Sequence, residues 1–152
     1  MDPADADWIR QLLVEHWRSA KIVSRGKVHY ADRLQGFIAL EGGKRVGLIT
    51  YRIEGDECEI ITLNSIVEGI GVGSALVNAV RSKAISSNCR RVWLITTNDN
   101  LPALGFYQRR GFTLAAFYSN ALERSRQLKP EISLIGLGGI PLRDELELEM
   151  PL

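Results

Sequence analysis

The chain has 152 residues, 45% hydrophobic and 24% charged, with a formal net charge of +1. That length supports one domain, 1–152, with a real core, and the near-zero charge offers no global basic field for nucleic acid. With no secretory leader pattern and no apolar run approaching about 18 residues, a cytoplasmic protein without a membrane span is expected.

Asp2-Pro3 reads as a cap followed by a first helical residue, and Trp8, Ile9, Leu12, Leu13, His16 and Trp17 follow at helical spacing. A first helix is therefore expected to about residue 17, with His16 packed on its apolar face. Residues 19–33 read as irregular and polar, with a turn at Arg25-Gly26-Lys27. Phe37–Leu40 and Val46–Ile53 read as strands joined by a hairpin turn at Glu41-Gly42-Gly43-Lys44. A second turn, Glu54-Gly55-Asp56-Glu57, leads into a strand from Cys58 to about Val67. Alternation along it puts Glu59, Ile61 and Leu63 on one face and Cys58, Ile60 and Thr62 on the other. Cys58 and Cys89 lack metal-ligand spacing and read as buried thiols in a reducing compartment.

Next comes Glu68-Gly69-Ile70-Gly71-Val72-Gly73-Ser74, between that strand and a helical run with Leu76, Val77, Val80 and Ala84 on one face. Glycines at a strand-to-helix junction let backbone N–H groups face a ligand with no Cβ in the way. The helix N-terminus behind them favours negative charge, so a phosphate or pyrophosphate is the expected guest. A nucleotide P-loop needs Lys and then Ser or Thr after its last glycine, whereas Gly73 is followed by Ser74-Ala75. A dinucleotide site expects an acid roughly 20 residues on, near the next strand's end, and residues 88–97 contain none.

Arg91–Thr96 reads as a strand, followed by Asn98-Asp99-Asn100-Leu101-Pro102. Three capping types and a proline suited to the first helical position start a short helix there. Gly111 suits its left-handed end, with Phe112 folding back on Tyr107 or Phe106. Thr113–Tyr118 reads as a strand, Asn120 with Glu123 as the start of a helix that Pro130 stops, and residues 136–141 as a loop. Residues 145–150 alternate with period two, which predicts a last strand with leucines inward and glutamates outward. Hairpins first and a strand–helix–strand middle make the expected fold α+β, with a mixed, mostly antiparallel sheet.

Two paired motifs carry a family resemblance. Glu68, Gly71 and Gly73 fit a Gln/Arg-x-x-Gly-x-Gly/Ala loop, and Asn100, Ala103, Phe106, Tyr107, Gly111 and Phe112 fit Asn-x-x-Ala-x-x-Phe/Leu-Tyr-x-x-x-Gly-Phe. Together they resemble the GNAT N-acetyltransferase superfamily over nearly the whole chain, with Glu68 standing where that family usually has Gln or Arg. The resemblance implies acetyl-CoA as co-substrate and an amine acceptor, either a small molecule or a peptide. It places the pyrophosphate on Gly69, Gly71, Val72, Gly73 and Ser74, and the pantetheine arm and thioester on main-chain groups of Ile66 and Val67. Tyr107 becomes the candidate general acid toward the departing thiolate, and Asn100 a helix cap, a cofactor contact, or both. Such domains often pair, so a homodimer is a possible assembly.

The base is less determined. Glu59 is the best single candidate, on the strand where some relatives carry a catalytic glutamate, although a solvated strand glutamate fits the sequence as well. His29 and a relayed water are the other options. Specificity is expected from residues 19–34 and from the long connection 119–144, where Arg25, Tyr118, Arg124 and Arg126 are candidates for an anionic group on the acceptor. Two competing readings stand beside acetyl transfer: a catalytically weak acyl-CoA-binding module or sensor, suggested by Glu68, and a nucleotide-dependent enzyme.

Overall fold

The structure is a computed structural model and describes residues 5–17, 21–67 and 69–152. The chain is α+β, with four helices and a six-stranded, mostly antiparallel sheet of strand order β3-β4-β5-β6-β8-β7. Two compact units divide it. The first holds α1, β3, β4, β5 and α2; the second holds most of β6, then α3, β7, α4 and β8, together with residues 23–28.

In the first unit, α1 (Ala6–Trp17) buries Ile9, Leu12 and Leu13 against Ile22, Ala31, Leu48 and Ile61. The Asp2-Pro3 start lies outside the described residues. His16 is exposed rather than packed, because the buried stripe follows 9, 12 and 13 and leaves position 16 on the outer face. Residues 21–30, expected to be irregular apart from a turn at Arg25-Gly26-Lys27, form a hairpin of β1 (Lys21–Ser24) and β2 (Lys27–Tyr30), whose residues 23–28 belong to the second unit. Its turn sits at Arg25-Gly26 with both φ positive (50° and 72°), the two-residue geometry that matches strand twist.

β3 (Gln35–Glu41), β4 (Lys44–Glu54) and β5 (Glu57–Ser65) form an antiparallel meander with both expected turns in place. β5 ends at Ser65, two residues short of the expected boundary. The β4–β5 register slips from Thr50↔Thr62 to Tyr51↔Ile60, which leaves Ile61 as the extra residue of a bulge. β5 lies inside the sheet, between β4 and β6, and residues 58–62 are all buried, so burial does not separate the two faces. Inside this stretch the Thr50 and Thr62 hydroxyls bond each other at 2.7 Å. The α2 helix (Val72–Ser86) packs on β3, β4 and β5 through Val72, Leu76, Val77, Val80 and Ala84.

In the second unit, β6 (Arg91–Thr97) is followed by α3 (Leu101–Arg109), β7 (Thr113–Tyr118), α4 (Ala121–Leu128) and β8 (Glu145–Pro151). Leu148 is fully buried as expected, but the glutamates do not all face outward: Glu145 is only 2% exposed. The reason is a long-range partner. Glu145 accepts from the Arg25 backbone N–H at 3.3 Å, and the Arg25 guanidinium lies 3.6 Å from its other oxygen. Among the described residues no helix is long and apolar enough to cross a membrane.

Candidate active site

In the first unit a glycine-rich turn leads from β5 into α2. Ile66 N–H still donates to Val46 at 2.8 Å, and then the chain bends away from the sheet. Gly69 and Gly71 both take left-handed φ (83° and 76°), which costs other L-residues about 1–2 kcal/mol. At each, a Cβ would meet no atom within 4 Å, so the space beside the backbone is open. Gly71 is the N-cap of α2 and gives it no side-chain cap, and the first turn carries no acid. The positive end of the helix dipole therefore faces this turn with no carboxylate beside it among the described residues. Val72, Gly73 and Ser74 form that first turn, and Glu68 lies outside the described residues.

A second glycine makes this placement possible. A Cβ at Gly47 on β4 would lie 2.5 Å from Val72 Cγ1, 3.0 Å from the Asn64 carbonyl and 3.1 Å from Leu76 Cδ1. The bare backbone of Gly47 is what lets the start of α2 settle onto the sheet. Of the two main-chain positions assigned to the thioester, Ile66 has its N–H committed to Val46, and the Val67 carbonyl accepts from Ser65 Oγ at 2.9 Å. Val67 N–H is then the group of that pair suited to donate to an acyl oxygen. Glu59 sits near the start of β5, opposite Arg52, and is 7% exposed, not solvated. Seven residues separate it from Ile66, about 23 Å along an extended strand.

The second unit carries the other candidates on α3. Asn100 caps the helix, its side-chain oxygen accepting from Ala103 N–H at 3.2 Å, and Pro102 takes the second helical position rather than the first. The cap uses only the amide oxygen, so the Nδ2 hydrogens are a separate donor resource. The helix ends in a Schellman motif: Phe112 N–H donates to Tyr107 C=O and Gly111 N–H to Gln108 C=O, both at 3.1 Å. Its apolar contact is the expected one, with the Phe112 ring edge-on to Tyr107 at 5.3 Å, while Phe106 meets Tyr107 from another side at 5.1 Å. Tyr107 is thus 6% exposed between two phenyl rings. Burial raises its hydroxyl pKa well above the ordinary phenol value, and the Arg110 charge offsets only part of that. The phenol stays protonated across the physiological range.

Residues 6–112 match the model of the acetyltransferase (GNAT) family. The chain belongs to that family. The GNAT domain is 43% identical over 139 residues to the Bacillus subtilis (strain 168) protein YdhI, covering 91% of this chain and 87% of that one. It also superposes on a GNAT family acetyltransferase from Elizabethkingia anophelis with acetyl-CoA bound, at TM-score 0.69 and 19% identity, covering 100% of this chain and 92% of that chain. A Bacillus subtilis acetyltransferase in complex with CoA gives TM-score 0.68 at 23% identity, covering 81% and 80%.

Sequence reasoning about this GNAT chain missed a polar cluster around the hairpin tip. The Arg25 guanidinium stacks on the Tyr118 ring at 3.3 Å, and Tyr118 donates to Glu147 at 2.9 Å. Burial raises the Glu145 pKa, and the hydrogen bond and charge of Arg25 offset part of it. Arg25 and Tyr118 were legible as candidates, but only the fold joins Arg25 to Glu145, 120 residues away, and Tyr118 to Glu147, 29 residues away. The Arg124 guanidinium lies over Gly26, about 3.1 Å from where a Cβ would stand. His29, the other candidate base, is buried. Among the described residues, no group of three His, Cys, Asp or Glu is placed to hold a metal ion.

Proposed function

We propose that the protein transfers an acetyl group from acetyl-CoA directly to a primary amine, carried by a small molecule or a peptide. The observation that carries this reading is the turn into α2, open beside Gly69 and Gly71 and without a side-chain cap, which suits a diphosphate. In the reaction, the amine nitrogen attacks the thioester carbon, the carbonyl oxygen takes negative charge beside Val67 N–H, and the C–S bond then breaks. Burial shapes the role of Tyr107. A phenol pushed above its usual pKa of about 10 gives up its proton reluctantly to a thiolate whose acid has a pKa near 8.5. Tyr107 therefore donates a hydrogen bond that steadies the departing sulfur, and the net proton on the thiol comes from the attacking nitrogen. Glu59 is the candidate base for that nitrogen; about 23 Å along the strand from Ile66, it acts only through a chain of waters, which carries the proton on to the departing thiolate. The acetyl-CoA requirement favours a cytoplasmic protein working as one catalytic domain, with a homodimer its possible assembly.

The test is thiol release from acetyl-CoA over a panel of primary amines. Tyr107→Phe should lower kcat tenfold or more with CoA affinity within twofold. Glu59→Gln should lower kcat tenfold or more. Unchanged turnover in either variant strikes that residue from the mechanism. Glu68 favours a second reading, a weak acyl-CoA-binding sensor, and CoA binding without thiol release for any amine selects it.

A further inference from the structure

In the second unit, residues 133–142 close on themselves. Ile135 bridges Pro141, Gly136 N–H donates to Ile140 C=O at 2.7 Å, and Leu142 N–H donates to Leu134 C=O at 3.0 Å. These bonds give the loop its shape. Side chains from outside it hold its place: the Arg126 guanidinium on α4 donates to Ser133 C=O at 2.8 Å and to Leu142 C=O, and two residues just before α3 tie it to that helix. The Asn98 side-chain oxygen accepts from Arg143 and Asp144 N–H at 3.0 and 2.9 Å, and its Nδ2 donates to Pro141 C=O at 2.9 Å. Asp99, itself buried, accepts from Thr97 Oγ1 at 2.5 Å on one oxygen and from Leu137 N–H at 2.9 Å on the other.

Gly136 shows how close this clamp is. Its φ of −98° is one any residue adopts, so nothing in the backbone requires glycine there. A Cβ at Gly136 would stand 2.1 Å from Asp99 Oδ2, so the carboxylate occupies the side-chain position outright. The next residue, Asn100, caps the helix that carries Tyr107. The triplet Asn98-Asp99-Asn100 thus ties the long loop and the start of α3 to one point. On the loop's outer side, Leu134, Ile135 and Leu137 are each more than half exposed. An unclamped loop would fold such aliphatic side chains inward, away from water.

We propose that Asp99, with Asn98, is a positioning residue for acetyl transfer: it holds the 133–144 loop in a fixed place relative to α3, and that loop receives the acceptor. This rests on the acetyltransferase reading above and adds the element that orients the amine.

The experiment is a cycle of Asp99→Ala, Gly136→Ala and the double variant in the full chain. Hydrogen exchange over 133–144 is followed together with kinetics on spermidine, L-lysine and an alanine-terminated tetrapeptide. Each single variant should speed exchange in the loop and raise the KM of the reactive amine about tenfold, with the acetyl-CoA KM within twofold. The double variant should be no worse than Asp99→Ala alone, because the carboxylate that excludes a Cβ is gone. Gly136→Ala lies on the surface loop and keeps the test available if Asp99→Ala folds poorly. Unchanged loop exchange in the single variants, a loosened loop with an unchanged amine KM, or effects that simply multiply would each overturn the proposal. Should native protein acetylate none of the three amines, the catalytic reading is what suffers. The exchange cycle still decides the clamp: non-additive loss of protection upholds it and additive loss overturns it.

Discussion

Cys58 shows how burial sets the chemistry of a single side chain. It is fully buried on β5, and burial first, then the neighbouring Cys89 and Glu59, push its thiol up to about 12 from an ordinary 9.0. Its thiolate, the nucleophilic form, is therefore scarce at neutral pH. Iodoacetamide at pH 8 should leave Cys58 unmodified in native protein and alkylate it in urea, read by peptide mass. The same shift has a consequence for stability. Above pH 9 the unfolded thiol loses its proton while the folded one keeps it, so the native state binds more protons and stability falls as pH rises. Between about pH 9 and 12, Cys58→Ala should flatten that decline relative to native protein in urea titrations. Parallel slopes would place the thiol at its ordinary value. Tyr107 acts in the same direction above pH 10, since burial raises its phenol too.

At the scale of elements, two glycines do different work, and substitution separates them. Gly71→Ala meets no protein atom and should cost about 1–2 kcal/mol for its left-handed φ. It should nonetheless abolish measurable CoA binding by calorimetry, since the methyl group enters the space a diphosphate needs. Gly47→Ala drives a Cβ into Val72 and the Asn64 carbonyl and should cost about 1–3 kcal/mol as an overpacked contact. Full CoA affinity in Gly71→Ala would show that the turn serves another purpose. Elements governed by local chemistry were legible in the sequence: the α2 stripe, the Asn100 cap and the Gly111 end of α3 each rest on residues within a few positions. Of the β1–β2 hairpin only the turn was legible, because its four-residue strands are too short and polar to show a period. The burial of Glu59 was not legible; it follows from β5 lying inside the sheet between β4 and β6. Glu145 is buried by a partner from a distant segment, which no local pattern reports.

At the scale of the whole molecule, ligand binding and folding are coupled, and this gives a test that needs no acceptor. A ligand that binds only the native state adds about 2.7 kcal/mol of stability at a free concentration 100-fold above its Kd. For a chain of this length each kcal/mol raises Tm by about 2–4 °C, so CoA should raise it by about 5–11 °C. ATP and NAD also carry a diphosphate, and a nucleotide-dependent enzyme would respond to them instead. Stabilisation by either with none by CoA would reverse the assignment. The shape of the transition carries separate information. The reading of 1–152 as one domain predicts a single cooperative unfolding step that CoA moves as a whole. The chain nevertheless divides into two compact units, and the Gly69–Ser74 turn belongs to the first while Tyr107 belongs to the second. If the units unfold separately, CoA contacts confined to the turn would shift only one of two steps. One step, displaced intact by CoA and unmoved by CoA in Gly71→Ala, is the outcome expected of a one-domain acetyltransferase.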